Sequence, residues 1–333
     1  MTKHLALPFH VSTHIVPAAW LRTTPHIPLA KMRNQHSRKE EGSSRIRSAS
    51  ATIPEKRRYQ GHKKLLWNVV NTYVKKGPIE RSNGGSALIL FFAHGNVFNK
   101  ETWESTVHHI FEDSSSHNIA EVWSFEAAQT GDSALWNADA RGCYDCIDHW
   151  ADNSRDILKF LTHFMLSTVS SNPPPTCLRQ VTAAESESRR KDGFKHGTLA
   201  GIGHLFGGCT LTLAALTNQS TFSSLIVVDP VIPTPLYYEA QDPFIPKNDL
   251  GILPDAIDGI GGTRTSLPIK QDEAKAWLLK NPFFANWHPD VLQSYVDHGL
   301  YTRKSGQEVL LKMPPVQEAI GFSEGTKCEN EGS

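Results

Sequence analysis

The residues whose types and spacing could carry chemistry gather at one corner of the chain. Thr198-Leu199-Ala200 brings an apolar, strand-like run into Gly201-Ile202-Gly203-His204-Leu205-Phe206-Gly207-Gly208, and Cys209-Thr210-Leu211-Thr212-Leu213-Ala214 leaves it as a small-residue, helix-like run. A strand that turns sharply into a helix between two glycines is where a Gly-x-Ser-x-Gly nucleophile is lifted clear of a sheet. Here the corner reads Gly-His-Leu-Phe-Gly, so Leu205 holds the nucleophile position. Leucine has no hydroxyl or thiol and cannot attack a carbonyl. Gly203 and Gly207 keep a structural purpose, because they let strand and helix approach closely. A dinucleotide fingerprint does not fit: counted from Gly201, Phe206 stands where the third glycine of Gly-x-Gly-x-x-Gly belongs.

Two further strands are needed to bring partners to that corner. Ala87-Leu88-Ile89-Leu90-Phe91-Phe92-Ala93 is a continuous apolar run, as a central parallel strand covered on both faces requires. It ends in His94-Gly95-Asn96-Val97-Phe98, and the backbone at Asn96 and Val97, with the amide of Phe206, is the expected source of oxyanion donors. His94 reads as a residue that orients this loop through its ring nitrogens, in preference to a base or metal ligand. Ser224-Leu225-Ile226-Val227-Val228 reads as another buried parallel strand, ending in Asp229 one strand–helix–strand interval after Leu205. Asp229 is therefore the candidate acid of an ancestral triad, with a turn-forming Asp before Pro230 as the alternative.

The rest of the chain supplies the frame. Residues 1–60 read as a basic, polar extension, with Met32 to Ser50 outside the core; Leu5 to Leu21 fits an outer strand or an edge covering equally well. Residues 61–230 read as the core, with a helix-compatible stretch at Gly61 to Lys76, a strand at Ala120 to Glu126 and a helix from about Cys146 to Phe164. Trp123, Gln129, Asp132 and Trp136 are expected on a pocket rim at the strand ends. A polar insertion at 167–195 is expected to be an exposed loop. Residues 231–312 read as a cap or pocket wall, with helices at Asp272 to Leu279 and Pro289 to His298, followed by a terminal segment, 313–333.

Composition narrows the function classes. With 34 Lys+Arg against 34 Asp+Glu in 333 residues, the balance offers no case for nucleic-acid binding. Five cysteines do not make a disulfide framework, and no apolar run is long enough to span a membrane. Cys143-Tyr144-Asp145-Cys146 lacks a second pair, and His108-His109 and His117 lack an evident carboxylate or thiol to complete a metal site. No cofactor or metal is expected.

Taken together, His94-Gly95-Asn96-Val97-Phe98-Asn99-Lys100-Glu101, Gly131-Asp132-Ser133, Gly203-His204-Leu205-Phe206-Gly207-Gly208, Asp229-Pro230, Asn281-Pro282-Phe283-Phe284 and Tyr295-Val296-Asp297-His298-Gly299-Leu300 resemble fungal α/β-hydrolases of secondary-metabolite pathways. That group includes peroxisomal acyl-CoA hydrolases and proteins of host-selective toxin biosynthesis, and the resemblance runs roughly from Ala87 to Glu318. It implies an α/β-hydrolase fold, a mostly parallel sheet covered by helices with a cap-like insertion. It also implies acyl-ester or CoA-thioester hydrolysis by a serine, an acid and a late histidine. This sequence departs from the pattern at Leu205, and Ser333 comes before the last strands and the late histidine that the resemblance calls for. The expectation is a catalytically impaired copy, with an acyl or acyl-CoA-like small molecule and an intact hydrolase homologue as candidate partners. Residual hydrolysis by other groups and a ligand-binding role are the alternatives. The resemblance points to the peroxisome, whereas Glu331-Gly332-Ser333 is not a Ser-Lys-Leu type of address and points to the cytoplasm.

Overall fold

A computed structural model describes residues 9–20, 22, 64–76, 87–113, 119–140, 150–167, 175–195, 197–232, 271–302, 309–314 and 317–318. Met32 to Ser50, Cys143 to Cys146, His117 and most of the stretch between Val231 and Leu267 lie outside these residues.

Among the described residues the core is a six-stranded sheet in the order β1-β2-β4-β3-β5-β6. Its strands are β1 (Phe9–Pro17), β2 (Trp67–Lys75), β3 (Leu88–Ala93), β4 (Ile119–Phe125), β5 (Thr198–His204) and β6 (Ser224–Val228). β1 pairs antiparallel with β2, and β2 with β4, while β4, β3, β5 and β6 run parallel to one another. β1 is thus the outer strand that the Leu5 to Leu21 segment left undecided.

Side-chain alternation on the central strands divides the core between the two faces of the sheet. Ile89, Phe91 and Ala93 of β3, Trp123 and Phe125 of β4 and Leu199 of β5 meet α3 (Trp150–His163) and α5 (Phe206–Thr217) through Ile157, Phe160, Leu161 and Leu211. Leu90, Phe92, Val122 and Ile202 point the other way, onto α1 (Glu104–Glu112) through Val107 and Phe111. Both faces of β3 are covered, so its sequence is apolar at every position instead of alternating.

Three readings of the chain are corrected. The helix-compatible stretch at Gly61 to Lys76 contains β2: its β-branched and aromatic residues fill a strand buried on both faces, where periodicity no longer separates strand from helix. The polar 167–195 segment contains α4 (Ala183–Asp192), not only exposed loop. Thr182 caps it by accepting the Glu185 N–H at 3.1 Å. Arg189 of α4 is buried and donates to the Leu161 and Met165 carbonyls at 2.8 and 2.7 Å, satisfying buried acceptors at the end of α3. Finally, β6 is parallel but not buried. It is the edge strand among the described residues, and the side chains of Ile226, Val227 and Val228 are exposed.

The cap-like region is a helical insertion with a core of its own. It comprises α6 (Gln271–Leu278), α7 (Pro282–Ala285) and α8 (Pro289–Gly299), with α2 (Gly131–Trp136) preceding it in the main domain, and a small antiparallel pair, β7 (Leu300–Thr302) and β8 (Val309–Leu311). Ala274, Leu278, Phe284, Leu292, Tyr295 and Val296 pack together, and Phe98 of the loop after β3 joins them. The fold is that of an α/β-hydrolase with a cap insertion.

Candidate functional site

The carboxyl ends of β3, β5 and β6 bring the predicted site residues to one edge. Ala93 is in register with Gly203, and His204 with Val228, so the loop at 94–98, the corner at 204–208 and Asp229 are neighbours. The corner is strained where chemistry would require it. Leu205 has φ 51° and ψ −114°, a region that an L-residue enters at a cost of about 1–3 kcal/mol. Its N–H is held by the Val228 carbonyl at 3.0 Å, and its own carbonyl receives the Cys209 N–H at 3.2 Å. A strand end on one side and a helix start on the other thus fix the turn.

The flanking glycines are dictated by contact. A Cβ on Gly203 would lie 2.6 Å from the Gly207 carbonyl oxygen, and one on Gly207 would strike the carbonyl of Ala93. The Leu205 side chain is half-buried against the apolar group formed by Trp150, Phe206, Cys209 and Val231. The Phe206 amide opens α5, where the first N–H groups of a helix have no acceptor within it.

The second predicted donor segment is held open by polar struts. Val97 has φ 68°, unusual for a β-branched residue, and Asn96 is buried with Nδ2 donating to the Glu318 carbonyl at 3.3 Å. His94 ties this loop to the one after β4. Its Nδ1 lies 2.7 Å from the Gly95 carbonyl oxygen, so that nitrogen carries the proton; Nε2 accepts the Ala127 N–H at 3.2 Å and faces Thr130 Oγ1 at 3.1 Å. Burial pushes the imidazole pKa down to about 4, against the smaller opposing effect of the Gly95 carbonyl. His94 is a neutral strut with both nitrogens engaged, in keeping with the reading of it as a loop-orienting residue.

His204, immediately before Leu205, stacks on Phe98 with ring centroids 5.7 Å apart and an interplanar angle of 7°. Its Nδ1 would lie 2.8 Å from a Cβ on Gly95, so only glycine leaves room for the ring. Burial lowers its pKa, and the negative charge of Asp229 opposes that shift. Asp229 is exposed, with φ 46° at the end of β6.

Sequence reasoning missed the largest polar feature near this loop. The Lys100 ammonium is fully buried, 2.6 Å from Glu101 Oε1, 2.8 Å from Asp132 Oδ2 and 3.5 Å from Glu126 Oε2. Lys312 reaches the other oxygen of Asp132 at 2.6 Å. Burial alone would discharge Lys100, but Glu126, Glu101 and Asp132 together raise its pKa and keep it charged. Asp132 is partly desolvated, which raises its pKa, yet the two lysines prevail and bring it down to about 2. Burial drives Glu126 up to about 7 despite Lys100. The one signal available was the charged pair Lys100-Glu101 directly after an apolar strand and turn.

The expected pocket rim is therefore revised. Trp123 is core, Gln129 is buried, Asp132 belongs to the ion network, and only Trp136 is exposed. Phe284, Trp287 and Tyr295 pack on one another, and the cavity between Val97, Phe98, Tyr295 and Met313 has room for about one water. A larger groove is lined by Trp20, by Lys159 and His163 of α3, by Arg190 of α4 and by Thr217 at the far end of α5 from Leu205.

Comparison with known proteins agrees with this architecture. The chain is 24% identical over 259 residues to the peroxisomal membrane protein LPX1 of Saccharomyces cerevisiae, a match that covers 76% of this chain and 60% of that protein. It is 26% identical over 178 residues to a type I acyl-CoA thioesterase of Penicillium brevicompactum, covering 53% of this chain and 34% of the other. An abhydrolase domain-containing protein of Alternaria alternata is 30% identical over 127 residues, 37% of this chain and 40% of its own length. The chain thus spans between 34% and 60% of the length of these curated relatives. The crystal structure of the Saccharomyces cerevisiae peroxisomal α/β-hydrolase Lpx1 superposes with a TM-score of 0.61 at 20% identity, over 96% of this chain and 69% of that one. No protein-family profile matches the sequence. The chain is a distant relative of these fungal α/β-hydrolase-fold proteins.

Proposed function

We propose that this chain is a hydrolase-like protein of fungal secondary metabolism, with host-selective toxin biosynthesis as the favoured setting, in which the covalent step of acyl-ester or acyl-CoA thioester hydrolysis has been lost. The observation that carries this reading is Leu205 at φ 51° between β5 and α5, a strained corner with no nucleophile on it. In an active hydrolase that conformation holds a serine hydroxyl over the sheet edge. The Phe206 amide and the backbone of Asn96 and Val97 are the candidate donors to a carbonyl oxygen, and Asp229 is the candidate remnant of the acid. Such a corner can still bind an acyl or acyl-CoA-like molecule, alone or beside an intact homologue that supplies the reaction.

Distant similarity to a peroxisomal protein supports the peroxisome as the compartment, and co-localisation of the untagged chain with a matrix marker by specific antibody tests it. The chemistry is tested by Leu205→Ser. The new hydroxyl would need a base, yet of the imidazoles near the corner His94 is engaged at both nitrogens and His204 is packed between Gly95 and Phe98. The expected outcome is slow labelling by a serine-directed phosphonate and no efficient thioester turnover. Rapid labelling with repeated turnover by Leu205→Ser would mean that a working base faces the corner.

A further inference from the structure

We propose that helix α1 carries a transition-metal site formed by His108, His109 and Glu112. In the sequence the two adjacent histidines had no evident third ligand; the helix supplies it, because Glu112 lies four positions after His108 and three after His109, both spacings at which helical side chains meet. His108 Nδ1 lies 3.2 Å from Glu112 Oε2, and His109 Nδ1 lies 3.9 Å from the same oxygen. The three donor atoms are all within 4.8 Å of one another. Ligand bonds of about 2.0–2.2 Å set tetrahedral donors roughly 3–3.5 Å apart, so binding requires only small rotations of the side chains.

The site is built on a fixed element. Val107 and Phe111 of α1 are buried against the sheet, and the His108 ring stands edge-on to Phe9 with centroids 6.4 Å apart. His108 is thereby the positioned ligand, while the more exposed His109 and Glu112 are free to close on an ion. Preorganisation of this kind reduces the entropy lost on binding. Two imidazole nitrogens and one carboxylate oxygen suit Zn²⁺, Co²⁺, Ni²⁺ or Cu²⁺, and not Mg²⁺ or Ca²⁺, which favour oxygen-only shells. Three protein ligands leave a fourth position for water or an external donor. Helix α1 covers the face of the sheet opposite α5, so the site is separate from the Leu205 corner and independent of the function proposed for it.

The test is calorimetric titration of the full chain with Zn²⁺, with Co²⁺ absorption as the report on ligand type. The expected result is one saturable equivalent with a Co²⁺ spectrum of nitrogen and oxygen ligation. His108→Ala and Glu112→Gln should each weaken binding at least tenfold, whereas His10→Ala, an exposed histidine on β1, should leave it unchanged. Glu112→Gln keeps the test decisive if removal of the His108 ring disturbs packing at Phe9. Absence of saturable binding, equal affinity in the Glu112→Gln protein, or thiolate charge-transfer bands from Co²⁺ would each overturn the proposal.

Discussion

The loop after β3 and the turn after β6 flank the same corner but are built on different terms. On the β3 side, His94, Asn96, Lys100, Glu101 and Glu126 are buried and bonded to one another or to backbone. On the β6 side, Asp229 is exposed and follows the exposed residues Ile226, Val227 and Val228. A buried charge network is held in place by folding itself, since removing Lys100 leaves the fully buried Glu126 without that cation. An exposed acid carries no such obligation. The polar motif from His94 to Glu101 is therefore accounted for by what it does for the fold, and it does not by itself argue for catalysis at Leu205.

The largest expected effect comes from breaking the network on the β3 side. Lys100→Met leaves Glu101, Glu126 and Asp132 around an uncharged side chain and should destabilise the protein by about 3–5 kcal/mol in denaturant titration. A loss below about 1 kcal/mol would place this network among weak surface pairs and erase the contrast. Next, Gly207→Ala drives a methyl into the Ala93 and His94 carbonyls, an overpacking cost of about 1–3 kcal/mol. Unchanged thermal unfolding of that variant would mean that strand and helix separate freely at the corner.

Acid titration sharpens the comparison further. His94 has a folded pKa near 4, below its ordinary 6.5, so its contribution is present above 6.5 and is lost as pH falls toward 4. For this fully buried group the loss amounts to roughly 3 kcal/mol. Glu126, raised from 4.5 to about 7, acts in the opposite sense: its contribution is complete below 4.5 and is lost as pH rises through 7. His94→Gln should therefore flatten the fall in stability on acidification, and Glu126→Gln should steepen it. Parallel pH profiles for the two variants would contradict the proposed protonation states. The smallest effect belongs to the β6 side, where Asp229→Asn should change unfolding free energy by less than about 0.5 kcal/mol.

How legible these features were in the sequence follows from how local their causes are. The β3 run and the Gly203 to Gly208 corner could be read because an apolar strand and a glycine-bracketed turn are written in consecutive residues. β2 could not, because Leu66 just before it and Val69, Val70 and Tyr73 within it recur at a helix-like spacing, and the strand's two buried faces erase the alternation. The α4 helix was hidden by its polarity, with Arg189 as its anchor to the end of α3. The Lys100 network unites Glu101, Glu126, Asp132 and Lys312 from four separate stretches, and only the assembled sheet brings them together.

The most direct test of the central claim is release of free thiol from a panel of acyl-CoA thioesters by the purified native chain, followed alongside saturable binding of the same compounds. With Leu205 on the corner, the expected result is binding without protein-dependent thiol release. Multiple turnovers by the native chain, abolished by a change within the corner or at Asp229, would contradict it and establish a hydrolytic mechanism that does not use residue 205 as a nucleophile.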